Sequence, residues 1–445
     1  MNMKKLIAVG TLLPFAALAE DPAVVTEAQA KEANADVTVE LTARESMQQL
    51  FDDFAKTKGK DFAYGIRDKK TGIVYYCAQS TVSVSPVSNM FIQKRQSAFD
   101  AAFDDILGRY VAYRTGENIT KSTSSLFSDD SSDVLETPKS LEEASKGVWK
   151  KIKVAGEAAL DKGLRSLGVD PSKYDGKPVE VKRTTYAESM MKESAVRALG
   201  SAIGVTVVKT MESHSADGVY VIGVIAKYDP MVEEVARCIA REVRPNIELK
   251  KGISAASLIN KPADVLAQNF GVRFYYNEEG APEIIAFGQW ASGYTGKNAR
   301  IADRKQGVAA SNAEMAANQM LTEFIGGCYS YDAKSTRGSQ IEEANIFDEN
   351  GGVREESIDK LISVYRRENV MNGKKRMRGR SYPSFRDIKH SAGQKIAFCA
   401  LRYDFDILES EKTDYRKKVE EKKTTAPKDE AKGTAGTAEG DTYDF

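Results

Sequence analysis

The chain has 445 residues, 42% hydrophobic and 29% charged, which is apolar material for two or three cores and too much charge for a set of membrane spans. Lysine plus arginine number 64, as do aspartate plus glutamate, so no net field draws the molecule to nucleic acid. Two histidines and four cysteines leave little for the commonest metal sites or for a histidine-driven catalytic base.

The first residues place Lys4 and Lys5 ahead of an apolar stretch of about 14 residues that ends in Ala17 and Ala19, the pattern of a cleaved export signal over 1–19. The stretch is shorter than the roughly 20 residues a membrane span needs, and Pro14 interrupts it. The expected location is the periplasm or the outside of the cell. A leader and a short helix are expected over 20–57, with Thr42 and Glu45 as a capping box and Met47, Leu50, Phe51 and Phe54 on one face.

From residue 58 the chain repeats itself. Residues 62–79 and 271–291 both read as strand, polar turn and strand, with turn glycines Gly72 and Gly280 lying 208 residues apart. Each hairpin precedes a helix that opens on a basic and glutamine cluster, Lys94-Arg95-Gln96 and Arg304-Lys305-Gln306. The first helix carries Phe99, Phe103, Ile106 and Tyr110 at helical spacing, and the second Ala309, Ala313, Ala316, Met320 and Phe324. The closing strands also match, with Gly218, Val221, Lys227, Tyr228 and Asp229 against Gly393, Ile396, Arg402, Tyr403 and Asp404, at a separation of 175.

The expected fold is therefore α+β: two duplicated hairpin-helix-strand sandwich domains, 58–245 and 250–408, with helical inserts. In the first insert Ser140 and Glu143 cap a helix through Val148, Ile152, Val154, Ala158 and Leu164, and a further helix spans 186–203 before a strand at 205–211. Residues 409–445 hold many charges and almost no aliphatic side chains, which predicts a disordered tail.

An export signal, a hairpin, a helix rich in Ala and Phe, and a closing strand ending in Tyr-Asp together resemble envelope domains of the flagellar assembly protein T type and of small bacterial surface lipoproteins. That resemblance implies a non-catalytic protein that builds envelope structure through protein contacts. The chain departs from the lipoprotein branch in having no cysteine after its signal.

Chemistry-bearing motifs are sparse, and no catalytic residue, cofactor or metal is predicted. His214 and His390 each precede a closing strand and read as polar turn residues, with no G-x-S-x-G elbow beside them. Residues 292–297 lack the first glycine of a phosphate loop, and Asn298 replaces its Ser or Thr. Asp129, Ser131 and Asp133 alternate as in a calcium loop but without its glycine and final glutamate, and Asp348 with Asn350 fails likewise.

Cys77, Cys238, Cys328 and Cys399 are disulfide partners in an oxidising space or buried free thiols, since each sits in an apolar stretch. The basic run Arg366, Arg367, Lys374, Lys375, Arg376, Arg378 and Arg380 is either an anionic-partner contact or a solvated loop balanced by nearby glutamates. The leading expectation is a non-enzymatic exported protein with a protein partner, no nucleic acid and no transmembrane segment. The alternative is a secreted glycan or peptide hydrolase whose carboxylates, such as Glu342 with Glu343 or Glu355 with Glu356, are united by folding.

Overall fold

Two antiparallel sheets, each backed by one very long helix, organise the molecule. The computed structural model describes residues 42–126, 140–332 and 378–425, all within one compact unit. The export signal, the calcium-like loop, the two glutamate pairs, Asp348 with Asn350, and Arg366 to Arg376 of the basic run lie outside the described residues. No described helix is long and apolar enough to cross a membrane.

Helix α1 (Ala43–Lys58) starts at the expected capping box, with the Thr42 side chain accepting from the Glu45 amide and Glu45 returning the bond. Strand β1 (Val74–Thr81) leads to α2 (Phe91–Leu126), the insert helices α3 (Leu141–Val154), α4 (Glu157–Ser166) and α5 (Val179–Ser201), strands β2 (Val205–His214) and β3 (Tyr220–Tyr228), and α6 (Pro230–Ala240). After α7 (Ala255–Ile259) and α8 (Ala263–Ala267), the series recurs as β4 (Gly271–Tyr276), β5 (Pro282–Ala291), α9 (Ala299–Asp332), β6 (Ser384–Lys389), β7 (Lys395–Tyr403) and α10 (Phe405–Thr425).

The sheet orders are β1-β3-β2 and β4-β5-β7-β6. Apart from β4 they are the same topology, and the register repeats: Val74 pairs with Tyr228 as Ile284 pairs with Tyr403. The separation of 175 residues holds beyond the closing strands. Asp229 N donates to Gly204 O (3.0 Å) and Asp404 N to Gly379 O (2.9 Å). Asp229 and Asp404 then cap the helices that follow, accepting from Met231 N (2.9 Å) and Asp406 N (2.8 Å). An added Cβ would crowd Tyr228 Cε2 (2.7 Å) at Gly204 and Tyr403 Cε2 (3.1 Å) at Gly379, so the same close approach is built twice. The chain is α+β with a duplicated module.

Each central strand is buried along nearly its whole length, which is why β3 and β7 read as apolar runs rather than alternating ones. Helix α9 lies so close to β5 that a Cβ on Gly288 would overlap Ala313 O and Ala317 N. The first sheet holds α1 on one face, around Met47, Phe51, Val221 and Ile225, and α2 against the other. The second module's apolar residues join those of α2 and the first sheet in one continuous core.

Several expectations are corrected. The first strand of the first hairpin is reduced to an isolated bridge, Arg67 to Val74, where Gly65 takes the left-handed conformation (φ 77°) just before the bridge. The helix after Ser140 breaks at Ala155-Gly156, leaving Val154 83% exposed. On α9 Ala309, Ala313 and Phe324 are buried as expected, but Ala317 and Leu321 are buried in place of Ala316 and Met320, one step away. Residues 409–425, expected to be disordered, continue α10. There Leu408 anchors the helix in the core, Gly379 N donates to Glu411 Oε2 (2.9 Å), and Lys412 reaches Glu242 O.

Of the two readings of the cysteines, the structure has the free thiols, with Cys77, Cys238, Cys328 and Cys399 on β1, α6, α9 and β7. Burial pushes the thiol of Cys77 up to about 11 and that of Cys399 up to about 12, so they behave as small apolar groups.

Candidate functional site

Ionisable side chains from both modules converge where the start of α2 crosses between the sheets. Arg95 on α2 is fully buried. Its guanidinium bonds to the Glu212 carboxylate on β2, to Ala267 O at the end of α8 (2.8 Å) and to Gln289 Oε1 on β5 (3.4 Å). The Phe270 ring lies 5.1 Å from the guanidinium carbon. The Tyr220 hydroxyl of β3 donates to Glu212 Oε2, and His390, on the turn between β6 and β7, places Nε2 2.9 Å from that same oxygen.

The tautomer of His390 follows from its other nitrogen. Nδ1 accepts from the Ala392 amide (3.0 Å), so in the neutral ring the hydrogen sits on Nε2 and is donated to Glu212. Burial alone would raise the Glu212 pKa. The Arg95 charge, the His390 bond and charge and the Tyr220 bond together outweigh it, and the carboxyl is held at about 2. Glu212 is thus a permanent anion, with Oε1 given to Arg95 and Oε2 to His390 and Tyr220.

The geometry joins segments far apart in sequence. Gln289, itself buried, donates to the carbonyls of Ala267 (2.9 Å) and Asn269 (2.8 Å), and Gln93 Nε2 donates to Ala291 O (3.2 Å). Arg95, Gln93, Glu212 and Tyr220 belong to the first module, while Gln289, Ala291 and His390 belong to the second. The arrangement can hold the modules together. Glu212 itself has no proton to give at neutral pH, because it is ionised and both of its oxygens are engaged.

His214, the other histidine, is exposed and stacks on Tyr220 with ring centroids 5.8 Å apart. Of the basic run, Arg378 pairs with Glu242 (3.4 Å) and Arg380 donates to Asn318 Oδ1 (2.8 Å), so both described members contact the protein itself. Sequence reasoning placed Arg95 in a basic cluster and His390 on a turn but missed Glu212 and Gln289. For Gln289 the available signal was an amide inside an apolar, buried strand, while Glu212 lies among Lys209, Thr210, Ser213 and His214 and gave none.

A groove of about 1040 Å³ lies between α9, Arg380–Pro383 and α10, with Tyr382 94% and Met315 62% exposed along it. In the first module the positions equivalent to Arg380 and Ile407, Val205 and Val232, are core residues that share their cluster with Leu199 and Ile203 of α5 and the turn after it. Lys182 on α5 is held by Glu157 (2.9 Å), Asp161 (3.1 Å) and Asp175 (3.4 Å), tying the insert helices together.

Residues 145–241 match the model of a domain of unknown function, DUF6844. The match begins in α3 and runs through β2, β3 and α6, so it includes Glu212 and Tyr220 but neither Arg95 nor His390. No curated protein matches the chain. The crystal structure of hypothetical protein FTT1539c from Francisella tularensis is similar at 16% identity over 83% of this chain and 93% of that one, with a TM-score of 0.47.

Proposed function

We propose that this is an exported, non-enzymatic protein of the periplasm or cell exterior that acts through protein-protein contacts, as the envelope domains it resembles do. One observation carries the reading: in the buried ionisable cluster that unites both modules, both oxygens of its one carboxylate are taken up by Arg95, His390 and Tyr220. Arg95, Glu212, Tyr220 and His390 act as a strut, and recognition is left to the surface. A hydrolase built on Glu212 would need a carboxyl that exchanges a proton near neutral pH, and this one is held at about 2.

The test has two arms. Mass analysis of protein recovered from the periplasm or medium of a secreting host is expected to show a chain beginning at Glu20; a full-length chain retained in the cytoplasm contradicts export. Purified mature protein, assayed against peptide and glycan panels, is expected to show no turnover. Turnover abolished by Glu212→Gln in a variant that remains folded would establish the hydrolase reading instead.

A further inference from the structure

The two modules differ at one sheet edge. Strand β1 ends the order β1-β3-β2, so among the described residues one side of it has no neighbouring strand in the sheet. Val82 N donates to Tyr220 O (2.8 Å), which turns the even-numbered residues of β1 toward β3. Gly65 N donates to Tyr75 O (2.7 Å) from the opposite side, which turns the odd-numbered residues outward. Beyond Tyr75 the outward groups are the amides of Cys77, Gln79 and Thr81 and their carbonyls. Arg109 Nη1 reaches the Cys77 carbonyl (3.3 Å); the three amides and the Gln79 carbonyl have no partner among the described residues.

In the second module the same edge is closed. Phe287, equivalent to Cys77, pairs with Gly271 of β4, and the carbonyl of Ala291, equivalent to Thr81, accepts from Gln93. Residues 65–67 of the first module supply only the beginning of such a strand. Residues Gln79 to Thr81 remain half-buried, and Gln79 Oε1 is enclosed without a hydrogen-bond partner.

Charge says what the edge suits. Arg44 donates to Thr81 Oγ1 (3.1 Å) at the end of the edge, and among the described residues no carboxylate pairs with it. Arg109, on the other flank, is already paired with Asp105 (2.6 Å), and Asp52 and Asp105 both act on Cys77, so the preference for acid belongs to the Arg44 end of the edge. We propose that the outer edge of β1 from Cys77 to Thr81 docks an extended, acidic strand of another polypeptide, antiparallel to β1 and with a carboxylate beside Arg44. Main-chain bonds supply the pairing and Arg44 the preference for acidic side chains. The proposal rests on the reading of this chain as a binding protein and names where it binds.

The probe is a fluorescein-labelled, end-blocked peptide of alternating Val and Glu, titrated into mature full-length protein by anisotropy, with a Val/Lys peptide as its counterpart. Binding of the acidic peptide is expected, with slowed deuterium exchange over 77–81. Gln79→Pro removes only an outward amide, a change that edge strands tolerate, and is expected to weaken binding by about tenfold or more. Arg44→Glu, which leaves the backbone untouched, is expected to do the same. No binding of either peptide, equal binding of the two, or unchanged binding by both variants overturns the proposal. Those failures leave the absence of turnover as it was, so the broader reading falls only to its own assay.

Discussion

Glu212 is the residue on which the junction of the modules turns. Its folded pKa of about 2 lies below the ordinary glutamate value of 4.5, so the stability it contributes is present above about pH 4.5 and is lost as pH falls toward 2. The shift corresponds to about 3 kcal/mol at neutral pH. Glu212→Gln leaves Arg95 buried beside a neutral partner and is expected to cost about 3–5 kcal/mol, with the low-pH loss of stability flattened. Urea titrations of both proteins between pH 2 and pH 7 measure this, and equal pH slopes would remove Glu212 from its assigned part. The thiols offer a second check: with all four cysteines free and at least partly buried, native protein is expected to react slowly with a thiol reagent and denatured protein to release four equivalents without reductant. Arg95 and His390 were visible in the sequence as a basic cluster and a turn histidine. Their meeting at Glu212 was not, because the three lie on segments 117 and 178 residues apart and local pattern carries no information about such contacts.

At the scale of elements, what could be read in advance was whatever depends on neighbours in sequence. The capping box at Thr42, the Ser140 cap, the long helices and the apolar closing strands follow from spacing, and each formed. What escaped was set by distant contact. Helix α10 holds because Phe405 and Leu408 enter the core and Glu411 meets the Gly379 amide, none of which its charged sequence announces. On α9 the expected face held at Ala309, Ala313 and Phe324, while Ala317 and Leu321 took the places expected for Ala316 and Met320, where the helix rests on Gly288. Gly288→Ala is therefore expected to destabilise by about 3 kcal/mol or more, since the obstructing atoms are helix backbone, whereas Gly307→Ala, with open space around its site, is expected to stabilise α9 slightly. Thermal melts of the two variants distinguish them, and similar melting points would contradict the packing described. The matched caps make a parallel test. Asp229→Ala and Asp404→Ala are each expected to cost about 1 kcal/mol, and a large difference between them would show that the equivalence is one of shape and not of energy.

Over the whole molecule, duplication has produced two modules that no longer keep separate cores. Sequence repeats revealed the copies because glycines and Tyr-Asp corners recur at fixed separations. They did not reveal that α2 of the first copy would pack against β5 of the second, nor that the second copy would keep a groove where the first holds core residues. The modules, joined through Arg95, Glu212 and His390, are expected to fold as one cooperative unit. The chain's two tryptophans report on it separately, since Trp149 lies on α3 in the first insert and Trp290 on β5 in the second module. Guanidinium unfolding of Trp149→Phe and Trp290→Phe, each followed through the remaining tryptophan, is expected to give coincident transitions, corrected for any shared change in stability. Two well-separated midpoints would contradict the claim and return the molecule to two independent domains.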